Sequence, residues 1–90
     1  MLDFSYSPKF KKDIKQAAYR GRDIMKMFSP IAMLLNNRPL PRQYRDHPLK
    51  GEWTGYRDFH VEPDWIVIYR IVGNLLVLEQ TGTHSELFGK

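Results

Sequence analysis

The sequence predicts an α+β domain in which a small antiparallel sheet is packed on one face by two amino-terminal helices. Residues 8–35 place apolar side chains at helical spacing, whereas residues 56–81 place them at the two-residue spacing of strands. An alternating segment at residues 2–6 adds a first strand, so the predicted order is β-α-α-β-β-β. Because 90 residues suffice for one hydrophobic core, we expect residues 1–90 to form a single domain.

Capping residues predict where the two helices begin. Ser7 is a suitable N-cap and Pro8 suits a first helical turn, so the first helix is expected to start there. Asp23 is a candidate N-cap for the second helix. Pro30 falls inside that helix, and an interior proline removes one backbone hydrogen bond. The second helix therefore either kinks near Pro30 or restarts there.

Three strands are predicted to form a meander in the second half of the chain. They are residues 56–62, 65–72 and 75–81, separated by the turn dipeptides Pro63-Asp64 and Gly73-Asn74. The middle segment is almost continuously apolar, which is typical of a central strand covered on both faces. Residues 36–55 predict a long irregular connection, and Thr83 with Glu86 forms a capping-box pattern for a terminal helical turn.

Composition and charge limit the classes of function that are compatible with the sequence. The formal net charge is +4, and all of it lies in residues 1–26, which hold seven basic and three acidic side chains. This basic region is either a solvated face or a surface for an acidic partner. The absence of cysteine excludes disulfides, thiolate metal sites and thiol nucleophiles. No signal peptide or apolar span is evident, so we expect no membrane association and a cytoplasmic location.

Three histidines in the second half of the chain are candidates for acid-base chemistry. Strand alternation places Asp58 and His60 on one face and Phe59 on the other, where it should be buried. Asp58 and His60 are therefore predicted to point outward together. His47 lies in the long connection and His84 follows the last strand, so the meander can bring both near His60. We expect one concave site.

Such a site suits cleavage of RNA through its 2'-hydroxyl, which needs one base and one acid near neutral pH. Candidates to contact the phosphate are Lys50, Arg57 and Arg70, and candidates to stack on a base are Trp53, Trp65 and Phe88. Each of these residues also has an ordinary structural use. A single histidine is commonly a surface or capping residue, and charged side chains on strands commonly form exposed salt bridges.

Other chemistries are less well supported by the sequence. Gaps of 13 and 24 residues separate the histidines and match no common zinc-ligand spacing, so we expect neither a metal nor a cofactor. No glycine-rich phosphate loop and no G-x-S-x-G motif occur. These absences argue against nucleotide hydrolysis and serine acyl transfer.

Three segments together resemble the YafQ branch of the RelE/ParE superfamily of type II toxins. They are residues 46–51 (DHPLKG), 55–65 (GYRDFHVEPDW) and 81–89 (TGTHSELFG). The resemblance implies a small microbial-RNase-like α+β fold and ribosome-dependent cleavage of mRNA in the A site. It also implies inhibition by a cognate antitoxin of the DinJ/RelB-like type, which wraps the toxin.

The resemblance also assigns functional residues by position. These are the histidines His47, His60 and His84, the acids Asp58 and Asp64, and the aromatics Trp65 and Phe88. His84 is expected to be the general acid and His47 or His60 the base. Asp58 or Asp64 then orients an imidazole, or Asp64 itself serves as the base.

Gln80 departs from the family pattern. Close relatives carry an arginine just before the Thr-Gly-Thr-His motif, whereas Gln80 donates hydrogen bonds without supplying positive charge. Either Lys50, Arg57 or Arg70 replaces that charge, or cleavage is slower than in those relatives.

Two alternatives are not enzymes. The first is a non-catalytic inhibitor of DNA gyrase, as in the ParE branch, although such an inhibitor has no need of three histidines. The second is a basic RNA-binding module that depends on Lys11, Lys12 and Lys15 of the first helix.

Overall fold

A five-stranded sheet with the order β1-β5-β4-β3-β2 organises the protein in the computed structural model, which describes residues 1–89. The strands are β1 (Asp3–Tyr6), β2 (His47–Pro48), β3 (Arg57–Glu62), β4 (Trp65–Val72) and β5 (Leu75–Gly82). The helices are α1 (Pro8–Tyr19), α2 (Phe28–Leu35) and α3 (His84–Phe88), with single 3-10 turns at Ile24–Met27, Arg42–Tyr44 and Gly51–Trp53. Lys90, the last residue of the predicted domain, lies outside the described residues.

The α+β class is confirmed, but the sheet is mixed and not purely antiparallel as predicted. β1 runs parallel to β5, with Asp3 opposite Leu75 and Tyr6 opposite Leu78. The other strand pairs are antiparallel. Apolar alternation identifies a strand without specifying its partner or direction, so the sequence cannot reveal this pairing. β1 is also exposed along its whole length and not half-buried as predicted.

The predicted caps begin the helices as expected. The Ser7 Oγ accepts the Phe10 backbone N–H at 2.9 Å, and Asp23 caps the 3-10 turn that precedes α2. The predicted second helix is therefore two pieces, and its α-helical part begins at Phe28. Pro30 lies in the first turn of α2, where a missing N–H leaves no hydrogen bond unmade. A new helix does begin near this proline, but the predicted cap at Ser29-Pro30 is wrong, because the N-cap is Met27, which makes no side-chain cap hydrogen bond.

The main core lies between the helices and one face of β3, β4 and β5. Its buried members include Phe10, Met27, Leu34, Phe59, Trp65, Val67, Tyr69, Leu76 and Leu78. β4 is the central strand, and residues 65–69 are at most 1% exposed, as predicted for a strand covered on both faces. Because neighbouring residues of a strand point to opposite faces, Asp58, His60, Ile66, Ile68 and Gln80 lie on the other side. We call this side the histidine face.

The connection predicted as irregular contains a strand that the sequence did not reveal. β2 is only two residues long and includes a proline, so it carries no detectable period. It pairs with β3 so that His47 lies opposite Asp58. This pairing brings His47 to the edge of the histidine face.

Candidate active site

The three imidazoles form one cluster on the histidine face. The ring centroids of His47 and His60 are 6.3 Å apart, and those of His60 and His84 are 5.3 Å apart. The rings come from β2, β3 and the first residue of α3. The prediction that these distant histidines meet in one site is confirmed.

The sheet register arranges the other groups of this face in rows. Asp58 lies opposite Ile68, which in turn lies opposite Gln80. His60 lies opposite Ile66 in the neighbouring row. Both isoleucines are fully buried. Ile66 and Ile68 thus form an apolar surface beside the histidines, and Gln80 and Asp58 lie on either side of Ile68.

His47 is held by a backbone carbonyl. Its Nδ1 lies 2.7 Å from the carbonyl oxygen of Arg45, and because a carbonyl oxygen only accepts, Nδ1 carries the hydrogen. In the neutral ring Nε2 is therefore the unprotonated nitrogen. The side chain remains about half exposed at 49%. This arrangement leaves a proton acceptor at the open edge of the site.

His84 is held by a carboxylate. The Oδ1 of Asp64 accepts hydrogen bonds from the His84 backbone N–H at 2.9 Å and from Nδ1 at 2.8 Å. These two donors, the backbone N–H first, lower the pKa of Asp64 from its ordinary value. Asp64 is therefore charged at neutral pH, and its hydrogen bond fixes the His84 ring with Nδ1 towards the carboxylate, so that Nε2 is the nitrogen available to deliver a proton.

The first turn of α3 fixes the position of the His84 backbone. The Thr83 Oγ1 accepts the Glu86 backbone N–H at 3.2 Å, and the Glu86 Oε1 accepts the Thr83 backbone N–H at 2.9 Å. The predicted capping box is thus confirmed. Gly82 permits this close approach, because a Cβ there would lie 3.0 Å from the Glu86 Oε1. Arg20 of α1 also donates to the Glu86 carboxylate at 2.8 Å.

Asp58 and His60 share a face as predicted, but they are buried and do not point into solvent. Their exposed fractions are 2% and 6%. Strand alternation predicts an exposed pair only where that face of β3 is uncovered, whereas His47 and His84 flank His60 on this face. His60 donates from Nδ1 to the Pro63 carbonyl at 3.2 Å.

Asp58 is the buried anion of the cluster. Its Oδ1 lies 3.2 Å from Nδ1 of His47 and 3.9 Å from Nε2 of His60. Among residues 1–89, however, no group donates a well-oriented hydrogen bond to this oxygen. Burial raises the pKa of Asp58, and the nearby histidines oppose that shift. The carboxylate is placed to stabilise positive charge on the neighbouring imidazoles.

The three predicted aromatic residues lie in different surroundings. Trp65 is fully buried on the helix side, where its Nε1 donates to the Thr81 Oγ1 at 3.0 Å, so it is not available to stack on a base. Trp53 packs edge-on against Tyr56, with ring centroids 5.2 Å apart. Phe88 is half-buried, and its ring centroid lies 6.2 Å from that of His84. Phe88 is the aromatic residue in contact with the histidine cluster.

The predicted cationic residues also lie in different places. Arg57 points to the helix side, so it does not reach the histidines. Arg70 lies on the histidine side of β4, where its guanidinium sits 5.2 Å over the ring of Tyr56. Lys50 is exposed just after β2. Of the three predicted cations, Arg70 is therefore the one placed on this side of the sheet, where its Nε also lies 3.7 Å from the Glu79 carboxylate, and it does not occupy the position of Gln80.

Comparison with known proteins identifies the family. A model of the bacterial toxin of type II toxin-antitoxin systems, YafQ, matches residues 2–89. The chain belongs to the YafQ family. The mRNA interferase toxin YafQ of Escherichia coli K12 is 52% identical over 88 residues, which cover 97% of this chain and 96% of that protein. The YafQ resemblance of the three sequence segments is thereby confirmed.

Solved structures of YafQ and of a second toxin share the fold. The crystal structure of the E. coli DinJ-YafQ complex contains a chain with a TM-score of 0.91 and 51% identity, covering 99% of this chain and 100% of that one. The metal-bound toxin from Helicobacter pylori gives a TM-score of 0.92 and 39% identity, covering 98% and 100%. In this YafQ-family chain, no group of three or more His, Cys, Asp or Glu side chains within residues 1–89 is arranged to hold a metal ion.

One residue that supports the site from the helix side was not predicted from the sequence. Arg22, in the connection between α1 and α2, donates to the Glu62 carboxylate at 3.2 Å and to the Asp64 carbonyl at 3.4 Å. Its guanidinium also lies 5.2 Å over the Trp65 ring. Arg22 thereby supports the turn that carries Asp64. No periodic pattern marks such a residue, because it lies in a connection and acts on a turn 40 residues away.

The YafQ-family fold also leaves an apolar groove that the sequence did not reveal. The groove has a volume of about 650 Å³ and lies between β1, α1 and α2. Phe4, Tyr6 and Phe28 line it with about half of each side chain exposed. Lys11 and Lys15 also contribute to its walls. Within the described part of the chain, no helix has the length and apolarity needed to cross a bilayer.

Proposed function

We propose that this chain, acting as one domain of residues 1–90, is an mRNA endoribonuclease toxin that cleaves RNA by metal-independent acid-base catalysis. The observation that carries the proposal is the cluster of three imidazoles at centroid distances of 6.3 Å and 5.3 Å. Transesterification needs a base for the 2'-hydroxyl and an acid for the leaving oxygen, and imidazoles supply both near neutral pH. The 52% identity to an mRNA interferase supports the same substrate.

The partners of the outer histidines distinguish their roles. His47 donates from Nδ1 to the Arg45 carbonyl, which leaves Nε2 of the neutral ring unprotonated, so it is the base that takes the proton of the 2'-hydroxyl. The Asp58 Oδ1, 3.2 Å from the same Nδ1, is placed to stabilise the positive charge that this ring then gains. His84 donates from Nδ1 to the charged Asp64, which fixes its ring and leaves Nε2 to deliver a proton, so it is the acid. Asp64 is a poor base, because two donated hydrogen bonds lower its pKa.

The proposed reaction is a displacement at phosphorus that is accompanied by two proton transfers. The 2'-oxygen bonds to phosphorus while its proton passes to Nε2 of His47. The bond from phosphorus to the 5'-oxygen breaks, and Nε2 of His84 protonates that oxygen. The products are a 2',3'-cyclic phosphate and a 5'-hydroxyl. His60, beside the buried Asp58, stabilises the charge that develops on the phosphorane, with Gln80 and Arg70 as further contacts on this face.

The RNA is proposed to be mRNA held on the ribosome, which places the toxin in the cytoplasm. Lys9 and Lys12 of α1, which are exposed and do not line the apolar groove, provide positive charge for contacts with RNA phosphates. Phe88, in contact with His84, is placed to stack on a base. Non-catalytic inhibition of DNA gyrase is not favoured, because it gives no role to the histidine cluster.

The apolar groove is the proposed docking site for a cognate antitoxin. The E. coli relative is solved in a complex with DinJ, and a toxin of this family needs such a partner to be held inactive. Half-exposed Phe4, Tyr6 and Phe28 suit the apolar side of an amphipathic helix, and Lys11 with Lys15 suits its acidic side. The expected partner segment is therefore an acidic amphipathic helix.

Paired expression tests the catalytic proposal. The chain and His84→Ala are produced in bacteria without antitoxin, and mRNA cleavage and growth are followed. Loss of the acid should lower cleavage by about 10²- to 10⁴-fold and relieve growth arrest. Ser85→Ala, at an exposed neighbouring position of α3, is the matched control and should behave as the parent chain. Purified toxin should keep its activity in EDTA.

Two results would contradict the proposal. Equal cleavage by the parent chain and His84→Ala would refute the acid role. Inhibition of DNA supercoiling by purified protein, without RNA cleavage, would favour the gyrase alternative. Toxicity that survives every single histidine substitution but is lost on charge reversal of Lys11, Lys12 and Lys15 would favour the RNA-binding module.

A further inference from the structure

A partly buried polar cluster lies behind the site, on the helix side of the sheet. The hydroxyl of Tyr69 donates to the Oδ1 of Asp46 at 2.6 Å. Nε of Arg57 lies 3.2 Å from the same carboxylate oxygen and 3.2 Å from the Tyr69 oxygen, and donates to both. Tyr69 is only 1% exposed, and its burial together with Asp46 raises its pKa, so the hydroxyl remains a donor. The mechanism above does not use this cluster.

The cluster is linked to His47 through the backbone. Asp46 directly precedes His47, so fixing the Asp46 side chain fixes the start of β2. The preceding residue, Arg45, has φ of 49°, a left-handed conformation that is uncommon for a residue with a side chain. The Arg45 carbonyl is the group that accepts the Nδ1 hydrogen of His47. A strained turn of this kind persists only when its surroundings hold it in place.

We propose that Tyr69 is a positioning residue for His47. Its hydroxyl anchors Asp46, and the anchored Asp46 maintains the left-handed turn that directs the Arg45 carbonyl at Nδ1. This carbonyl, at 2.7 Å the nearer of the two oxygens facing Nδ1, acts together with the Asp58 Oδ1 at 3.2 Å to keep the hydrogen on Nδ1 and so leaves Nε2 as the proton acceptor. The inference rests on the proposed function, in which His47 is the base. Tyr69 acts from the opposite side of the sheet and does not touch the RNA.

Two tyrosines give a matched pair of variants. Tyr69 and Tyr44 both pack against Phe59, with ring centroids 5.9 Å and 6.5 Å away. Only the Tyr69 hydroxyl is bonded to Asp46, and within residues 1–89 the Tyr44 hydroxyl has no hydrogen bond. Tyr69→Phe therefore removes the anchor and keeps the ring, whereas Tyr44→Phe removes a hydroxyl without an anchoring role.

Cleavage kinetics provide the first measurement. With purified protein on mRNA-programmed ribosomes, Tyr69→Phe should lower kcat by about 10-fold with little change in KM, because a misplaced base affects the chemical step more than binding. Tyr44→Phe should match the parent chain. An unchanged kcat in Tyr69→Phe would overturn the proposal, as would an equal loss in both variants.

The tautomer of His47 provides a measurement that does not depend on RNA cleavage. Nitrogen NMR in the non-toxic His84→Ala background should show hydrogen on Nδ1 of His47, and Tyr69→Phe should shift population towards hydrogen on Nε2. Loss of activity or thermal stability with an unchanged tautomer would mean a merely structural role and would overturn the proposal. If His47→Ala cleaves as well as the parent chain, the base assignment fails, while the tautomer still reports on positioning.

Discussion

The two sides of the sheet are built from the same strands but present opposite kinds of surface. On the helix side, the groove of about 650 Å³ is apolar and half-exposes Phe4, Tyr6 and Phe28. On the histidine face, imidazoles surround the buried Asp58. Strand alternation sends Phe59 to one side and His60 to the other, so the proposed antitoxin site and the proposed RNA-cleavage site lie on opposite sides of the sheet. Antitoxin affinity and cleavage should therefore respond to different substitutions.

The largest expected effect concerns the groove. Phe28→Asp should weaken binding of the cognate antitoxin by at least about 100-fold, because it places an unpaired charge against an apolar partner surface. Cleavage should be unchanged. Calorimetric titration gives the affinity, and Val72→Asp, at an equally exposed apolar position on the β4–β5 hairpin, is the control. Unchanged affinity would remove the groove as the docking site, and lost cleavage would show that the two sides are not independent.

A smaller effect is expected at Gln80 on the histidine face. Gln80→Arg should raise the cleavage rate by up to about 10-fold, because a guanidinium on this face adds charge-assisted contacts to the phosphate. Antitoxin affinity should not change. Gln16→Arg adds the same charge at an exposed position of α1 and is the control for a general increase in RNA binding. Single-turnover cleavage measures the rate of each variant. An equal increase in Gln80→Arg and Gln16→Arg would mean that the effect does not depend on placing the charge on the histidine face.

The smallest effect concerns the ion pair that joins the two sides, between Arg20 of α1 and Glu86 of α3. The Thr83 backbone N–H and then Arg20 lower the pKa of Glu86, so its charged form stabilises the fold above its ordinary pKa and this contribution is lost as pH falls. Glu86→Gln keeps an oxygen for the cap and should cost less than about 1 kcal/mol at pH 7, since both partners are well exposed.

Thermal unfolding at several pH values measures this contribution. The difference in stability between the parent chain and Glu86→Gln should disappear as pH falls below the lowered pKa of Glu86. Cleavage at pH 7 should change little if the two sides are independent. A large loss of cleavage, or a stability difference that grows in acid, would contradict this account.

Local signals in the sequence predicted much of the scaffold. Ser7 and Thr83 cap the helices expected, Asp23 caps the 3-10 turn that precedes α2, and Pro63-Asp64 forms the turn between β3 and β4. Caps and turns are decided within a few residues, so the sequence is sufficient for them. Strand alternation also explains why Arg57 does not lie on the histidine face, because Arg57 and Phe59 share a side of β3.

The α+β class, the caps and the presence of histidines, carboxylates and aromatics suited to RNA cleavage follow from the amino-acid sequence alone. The parallel pairing of β1 with β5, the orientation of Trp65 towards the helices and the burial of Asp58 are seen only in the folded chain. The same holds for the hydrogen-bond partner of each histidine. Pairing and burial depend on contacts between segments tens of residues apart, and no local period encodes the partner of a strand or the neighbour of an imidazole.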